Sequence, residues 1–501
     1  MPANVTTQLE LTLNYDNVFK FLNERFGKCY ANSEYYRKVD LWRRLYQGYV
    51  RENHEITIQN GINSQTRRMF RLDMAKRLCE DWMSVLVADK PIITVAGKNQ
   101  STSRFVQGSK GNGGVLSSNN FYKQFCKSVE RAFGLGTSAL VLGIVEDKIK
   151  DSYKIDINSY DATSIIPISY KNDIVEECAF LSSFYRGGKV MYNLSCHIKD
   201  EQGKYVIYNF EAADDLNFES YFNKTVEGLK TESENPFFFL ISPVIANNVD
   251  LNSPMGISVY ANAVDIVLNC DYMYDAIHMD VLTAQRIILM DKSLLGVDES
   301  GNAIAPQDYK KWCMSFFGDE GAVDVEKLLK EFSPKLNSPD LCNTLQQNLN
   351  LLSMRCGLGN EYYHFDRVTG VTATEYTGSQ QDLIRNVKTN AEMLTNTLAA
   401  MIKEIIWIGK NTLGYNELAE DAKITVTIPD GVITNDITEK EQDRQDVEAG
   451  LMSKAEYRAK WYGETLEDAQ AKIDAMDTVK NEEKVDETKV TDTTEQITVQ
   501  N

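Results

Sequence analysis

A long helical pattern follows residue 250 and constrains the fold more than any other feature of the sequence. In NSPMGISVYANAVDIVLNCDYMYDAIHMDVLTAQ, apolar residues recur mostly four and three positions apart, which is the spacing of one packed helix face. The stripe consists of Val259, Ala263, Ile266, Cys270, Met273, Ile277 and Val281. A helix over 254–288 would be roughly 50 Å long at 1.5 Å per residue. Asp271 and Asp275 fall opposite the stripe, so we expect a packed face and an acidic, solvated face.

Two further helical patterns follow, and an insertion separates the helix over 254–288 from the next one. Residues 286–337 carry strand and turn signals, whereas the spacing of leucines predicts a helix over 338–356. The third helix is predicted to begin at Thr372 and to end before Gly409. A loop over 357–370 joins the second helix to the third, and loops of this length are often functional.

The hydroxyl-rich stretch GVTATEYTGSQQ at 370–381 allows a catalytic and a structural interpretation. Glu375 follows Thr372 by three residues, which is the spacing of a capping box at a helix start. A nucleophile would need a base, and only His364 and Asp366 lie near in sequence. The capping interpretation explains the spacing without further residues and is favoured.

The N-terminal part reads as helices joined by a flexible loop. Helices are predicted over 15–50, from Arg67 to Ala88, and over 121–133. The second has a basic face that is either solvated or meets an acidic neighbour or nucleic acid. It consists of Arg67, Arg68, Arg71, Lys76 and Arg77.

Glycines in two places imitate nucleotide-binding motifs without matching them. The Gly/Ser/Asn-rich stretch at 97–120 lacks GxxxxGK[ST] and is predicted to be a flexible loop. Gly134, Gly136 and Ala139 match GxGxxA, but there a helix ends and a strand begins, the reverse of the dinucleotide-binding order. We interpret that stretch as a helix C-cap and tight turn.

Short runs of β-branched and aromatic residues fill 137–245 and predict antiparallel strands. Helices, then strands, then long helices indicate an α+β fold rather than a doubly wound sheet.

Composition excludes several classes of protein. The 501 residues suffice for two to four domains, and no run of apolar residues is long enough to span a membrane. The N-terminus carries no secretion signal, so a cytoplasmic product is expected. Four widely spaced histidines and nine cysteines without a CxxC pair predict neither a metal site, a cofactor nor a disulfide framework; the cysteines are expected to be reduced and mostly buried.

The charge is strongly negative. A net charge of −19 has the wrong sign for tight DNA binding, which neutralises phosphates with Lys and Arg. Residues 438–501 hold 17 acidic and 9 basic side chains, a net charge of −8, and the part after about Met476 is predicted to be disordered in isolation.

Taken together, these segments resemble the portal proteins of long-tailed bacteriophages. The resemblance covers most of 35–475 in the family's order. The matching segments are WRRLYQGY, MAKRLCEDW, DATSIIPISYKNDIVEECAF, SPMGISVYANAVDIVLNCDYMYD and GVTATEY with its long helix.

The resemblance implies a portal fold with a helix/β wing, a long-helix stem, a small α/β clip and a helical crown. The implied boundaries are 1–250 for the wing, 251–288 and 338–356 for the two stem helices, 289–337 for the clip, 357–371 for the tunnel loop, 372–437 for the long helix returning to the wing, 438–476 for the crown and 477–501 for the disordered tail.

The resemblance also implies a function without catalysis. The expected assembly is a ring, dodecameric in the family, at one capsid vertex of the virion, made in the host cytoplasm. It would conduct double-stranded DNA during packaging and ejection. Implied protein partners are the terminase large subunit, the head-to-tail adaptor, and the major capsid and scaffolding proteins.

Several residues are candidates for lining the DNA tunnel, with sealing of subunit contacts as the alternative role for each. They are Glu361, Tyr362, Tyr363, His364 and Arg367 in the loop, and Asp271 and Asp275 on the first stem helix. The acidic walls would repel DNA and limit sticking. The competing functions are a metal-dependent nuclease or hydrolase of the packaging apparatus, which would need clustered carboxylates, and a capsid or adaptor protein without a channel.

Overall fold

The computed structural model describes most of the chain. It describes residues 15–30, 32–60, 63–87, 89–96, 100–108, 113–147, 152–212, 228–284, 287–291, 296–297, 303–304, 313–316, 329–332, 335–365, 381–429, 436–462, 469–470 and 472–474. Residues 1–429 and 430–501 form two compact units.

The first unit opens with helices that pack through aromatic side chains. They are α1 (Tyr15–Phe26), α2 (Ser33–Tyr46), α3 (Arg51–His54), α4 (Met74–Val87), α5 (Gln100–Gln107), α6 (Val115–Ser118) and α7 (Phe121–Leu135). In α2, Tyr35, Tyr36 and Trp42 are at most 2% exposed. Large buried rings of this kind dominate the energetics of a core because each removes much apolar area from water.

Two predictions for this region are wrong in detail. Residues Arg67 and Arg68 do not begin a helix; they end the hairpin of β1 (Glu55–Asn60) and β2 (Asn63–Arg68), and α4 begins at Met74. The stretch predicted as a loop from 97 to 120 contains α5 and α6. The stretch is helical there because α5 buries one of its faces: Thr102 and Val106, one turn apart on α5, are at most 1% exposed.

The predicted antiparallel β region is confirmed. Its strands are β4 (Ser138–Asp147), β5 (Ser152–Asp161), β6 (Ile165–Lys171), β7 (Ile174–Arg186), β8 (Lys189–Lys199), β9 (Tyr205–Ala212), β10 (Leu229–Lys230) and β11 (Phe238–Ile241). They form a five-stranded sheet in the order β10-β9-β8-β7-β6 and a three-stranded sheet in the order β11-β4-β5. A separate pair joins β3 (Ile92–Ala96) to β17 (Lys423–Thr427). Together with the helices, these sheets confirm the α+β class.

The predicted helix end before β4 is also confirmed, and it requires glycine. Gly136 caps α7 at φ +96°. A Cβ atom there would stand 2.5 Å from the carbonyl oxygen of Gly256, and a Cβ on Gly256 would stand 2.4 Å from that of Gly136. The two backbones therefore touch, and this contact fixes the chain just before the first long helix.

Three long helices follow. They are α8 (Val264–Thr283), α9 (Ser338–Arg355) and α10 (Gln381–Asn411), and a short 3-10 turn (Ala261–Ala263) precedes α8. The first is shorter than predicted, about 30 Å rather than 50 Å, because 254–260 packs as an irregular segment against α7: Ser258 Oγ and Val259 N both donate to the Phe133 carbonyl.

The insertion between α8 and α9 contains short strands where it is described. They are β12 (Ile287–Asp291), β13 (Gly296–Val297), β14 (Ala303–Ile304), β15 (Cys313–Phe316) and β16 (Leu329–Phe332). β12 pairs in parallel with β15 and antiparallel with β16.

The second unit contains α11 (Asp436–Glu448) and α12 (Lys454–Tyr462). Trp461 Nε1 donates to Asp443 at 2.8 Å and so ties the two helices together. The helical pattern predicted after residue 438 is confirmed over these ranges.

Candidate functional site

The pair of α8 and α9 forms the framework of the candidate site, and its two helices run antiparallel. At one end, the Asp280 carboxylate accepts hydrogen bonds from Asn337 N at 2.8 Å and from Ser338 Oγ at 2.9 Å. At the other end, Arg355 Nε donates to the Asn262 carbonyl at 3.3 Å. The insertion 284–337 therefore leaves and rejoins the helix pair at one place.

Asp275 on α8 holds the turn that leads from the β1–β2 hairpin into α4. Both of its oxygens accept from the Arg67 guanidinium at 2.7 Å, and Phe70 N donates to Oδ1 at 3.0 Å. Such bidentate, charge-assisted contacts are among the stronger hydrogen bonds in proteins. The bonds from Arg67 outweigh burial and lower the pKa of Asp275 below its ordinary value.

Asp271, one turn earlier on α8, holds the part of the same turn that lies nearer to α4. Its Oδ1 accepts from Leu72 N at 2.7 Å and from Asp73 N at 3.2 Å. His54 Nδ1 accepts from Val50 N at 2.9 Å, so the ring proton lies on Nε2, which donates to Asp271 Oδ2 at 3.2 Å. A buried carboxylate and a buried histidine thereby satisfy each other.

The two α8 carboxylates do not lie on the solvated face that was predicted for them. Asp271 is 2% exposed and Asp275 6% exposed, both against other parts of the same subunit. The physical reason is that the 67–73 turn presents backbone N–H groups and a guanidinium to this side of α8. Two residues of the predicted basic face meet acidic neighbours, as one of its two interpretations expects. The Arg67 guanidinium lies 2.7 Å from Asp275, and the Arg77 guanidinium lies 2.8 Å from Asp81.

The described part of the candidate tunnel loop, 357–365, is fastened to two helices. Trp82 Nε1 on α4 donates to the Cys356 carbonyl at 3.1 Å, and Asn386 Nδ2 on α10 donates to the Gly357 carbonyl at 2.9 Å. Gln346 on α9 accepts from Phe365 N at 3.1 Å. The loop therefore starts from fixed supports.

The candidate residues of the loop divide into exposed and anchored side chains. Glu361 and His364 are exposed, whereas Tyr362 and Tyr363 are half-buried and meet edge to face at 5.0 Å. Tyr363 OH donates to Asp81 Oδ2 at 2.8 Å, and burial together with this carboxylate raises the pKa of the phenol. Tyr363 is thus a support of the loop within the subunit.

Three predicted residues cannot be placed by the structure. Arg367, Thr372 and Glu375 lie outside the described residues, so the capping box and the arginine stay predictions. The helix predicted to follow them is confirmed from Gln381 onward, but it ends at Asn411 rather than before Gly409. Gly409 is a packing position instead of a helix end, since a Cβ there would stand 2.6 Å from the Phe105 ring.

A buried carboxylate on α10 was missed at the sequence level. Glu404 is 1% exposed and accepts a hydrogen bond from Ser233 Oγ at 2.7 Å. Burial raises its pKa from 4.5 to about 7. The available signal was one acidic residue between apolar neighbours on the same helix, all of which are buried: Met401, Ile402, Ile405, Ile406 and Ile408.

In the part of the chain that the structure describes, no cluster of three or more His, Cys, Asp or Glu side chains has the arrangement of a metal site. Within the same residues, no helix combines the length and apolarity needed to cross a bilayer. Five of the cysteines, Cys79, Cys178, Cys196, Cys270 and Cys356, are buried, as predicted.

Comparison with known proteins gives a family match over most of the chain. The family model for "Phage portal protein, SPP1 Gp6-like" matches residues 28–486. No curated protein matches the chain.

Two solved structures are similar over a large part of the chain at low identity. One is the neck of a native GTA particle computed with C12 symmetry, 11% identical, covering 77% of this chain and 87% of that chain with a TM-score of 0.39. The other is the neck of an empty GTA particle computed with C6 symmetry, 10% identical, with the same coverage and a TM-score of 0.38. The match to residues 28–486 is what establishes the family: the chain belongs to the phage portal proteins.

Proposed function

We propose that this chain assembles into a ring at one vertex of the phage capsid and forms the channel through which DNA is packaged and ejected. The family match over residues 28–486 is the observation that carries the proposal. In this role the protein is structural, and a separate ATPase supplies the energy. The ring would belong to the virion after being made in the host cytoplasm.

The α8–α9 pair is the proposed stem. Its antiparallel helices bring both ends of the 284–337 insertion to the position of Asp280, as a projecting clip requires. We assign the insertion to docking of the terminase and, later, of head-to-tail adaptors. Residues 1–250 would form the wing with the end of α10, and 438–476 the crown.

The loop after α9 is the proposed contact with DNA. Exposed Glu361 and His364 are the described side chains suited to face a duplex, and Arg367 is a further candidate. The net charge of −19 supports a channel that repels DNA overall, so that a few cationic groups touch phosphates without arresting the duplex. Tyr363 would hold the loop in position through Asp81.

A loop deletion tests the proposal. Residues 360–370 would be replaced by a short Gly/Ser linker, and the variant compared with wild type by native mass spectrometry and by DNA packaging into capsids. We expect the same oligomer and impaired translocation or retention of DNA. Loss of the oligomer would show that the segment is a subunit interface rather than a tunnel loop, and metal-dependent DNA cleavage by wild type would favour a nuclease.

A further inference from the structure

The Glu404 carboxyl group lies where α10 meets the turn before β11. The turn, Thr231–Asn235, is bound to β9: Thr231 N donates to the Tyr205 carbonyl at 3.0 Å, and Tyr205 N donates to the Ser233 carbonyl at 2.9 Å. Ser233 is 1% exposed and is the residue of the turn that reaches Glu404. One hydroxyl therefore connects the long helix to the sheet side of the subunit.

The Ser233 hydroxyl has one proton and two acceptors within reach. Its Oγ lies 2.7 Å from Glu404 Oε1 and 3.2 Å from the Asn235 carbonyl oxygen, and it accepts from Asn235 N at 3.1 Å. When Glu404 is ionised, the hydroxyl donates to the carboxylate, and the Asn235 carbonyl loses this donor. When Glu404 is protonated, its O–H donates to Ser233 Oγ, and the hydroxyl proton is then available to Asn235.

Glu404 resists ionisation because it is buried, and this effect outweighs the hydrogen bonds from Ser233 and Asn235, which favour the charged form. It lines a cavity of about 280 Å³ together with Glu232, Glu234, Lys403, Trp407 and Glu420. Glu232 has an ion pair with Lys204, and Glu420 has one with Lys410 at 3.2 Å. Lys403 is the cation that lines the cavity, and its effect on the carboxyl is smaller than that of burial.

We propose that Glu404 and Ser233 form a proton-sensitive latch that fastens the 231–235 turn to α10 when the carboxyl group is protonated and loosens when it ionises. The proposal does not depend on ring formation.

The direction in which pH acts on the 231–235 turn follows from the raised pKa of Glu404. The pKa of Glu404 is raised from 4.5 to about 7, so the folded latch binds a proton that the unfolded chain releases. Its stabilising contribution is complete below about 4.5 and is lost as the pH rises through about 7. Opening of the turn should therefore increase over that window.

Hydrogen exchange at the amides of 231–237 in the full-length protein tests the latch, after correction for intrinsic exchange rates between pH 5.5 and 8.5. Wild type should lose protection at least tenfold as the pH rises. Glu404→Gln, whose amide can donate to Ser233 at every pH, should keep its protection. Glu392→Gln, an exposed carboxylate on the same helix, should behave as wild type.

A second variant covers the case in which Glu404→Gln fails to fold. Ser233→Ala removes the shared hydroxyl, so its 231–237 amides should be poorly protected at pH 5.5 and change little with pH. Equal pH dependence in wild type and either variant would overturn the proposal, as would full protection of wild type at pH 8.5.

Discussion

The guanidinium of Arg67 contacts both carboxylate oxygens of Asp275, each at 2.7 Å, across 208 positions of sequence. This pair connects the end of the β1–β2 hairpin to the middle of the proposed stem helix. With the Asp271–His54 contact beside it, the hairpin, the start of α4 and α8 share one polar network.

Removing this pair should destabilise the subunit. Asp275→Ala leaves Arg67 without its acceptor and Phe70 N without its hydrogen bond, so we expect the free energy of unfolding to fall by about 2–3 kcal/mol. Urea unfolding at pH 7 measures the loss. Asp265→Ala, exposed on the same helix, should change it by less than about 0.5 kcal/mol.

The same pair gives a predicted acid dependence. The folded-state pKa of Asp275 is lowered, so its contribution is present above the ordinary value of 3.8 and is lost as the pH falls through that value and below. Unfolding midpoints at pH 6 and pH 3 should therefore differ less for Asp275→Asn than for wild type. Equal differences would show that this carboxylate is not the one held by Arg67.

Close contact between two backbones predicts an unusually costly glycine substitution. Gly136→Ala would place a Cβ 2.5 Å from the Gly256 carbonyl oxygen, whereas a Cβ added to Gly27, also at positive φ, would have no atom within 4 Å. Gly27→Ala should cost about 1 kcal/mol from backbone strain alone. Gly136→Ala should cost at least about 2 kcal/mol more, because overpacking adds to that strain. Thermal unfolding of the two variants compares them directly, and similar midpoints would contradict the contact.

The Asp280 carboxylate predicts how the insertion is held. Asp280→Ala removes the acceptor for Asn337 N and Ser338 Oγ, which should cost about 1 kcal/mol and loosen the start of α9. Limited proteolysis near residues 335–340 should become faster. Asn343→Ala, exposed further along α9, serves as the control and should be cleaved at the wild-type rate.

The two kinds of loop side chain should respond differently to substitution. Tyr363→Phe removes the hydrogen bond to Asp81 and should increase hydrogen exchange over 357–365 with a cost of about 1 kcal/mol. Paired Glu361→Ala and His364→Ala substitutions should leave exchange and unfolding unchanged and alter DNA packaging. A stability loss in the second variant would place those residues in a packing contact.

Periodicity in the sequence predicted the elements that are regular and local. The leucine stripe of α9, the end of α7 at Gly136 and the antiparallel strands of 137–245 follow from spacing and turn chemistry, which act over a few residues. The start of α4 was placed too early because a basic, apolar stretch fits a helix as well as the edge of a hairpin.

The contacts that organise the candidate site lie far apart in sequence. Arg67 and Asp275 were both singled out from the sequence, but nothing in the residues beside either of them indicates that they meet. Asp275 was therefore expected on the solvated face of its helix. Glu404 was missed for the same reason: a single acidic residue among apolar neighbours on a helix can be seen in the sequence, but its partner Ser233 is 171 positions away.

Cryo-electron microscopy of the purified full-length protein tests the central claim most directly. We predict a ring of identical subunits around an open channel, with α8 and α9 of each copy beside it and residues 357–365 toward the opening. A single unassembled subunit, or an assembly with α8 and α9 remote from any channel, would contradict the account.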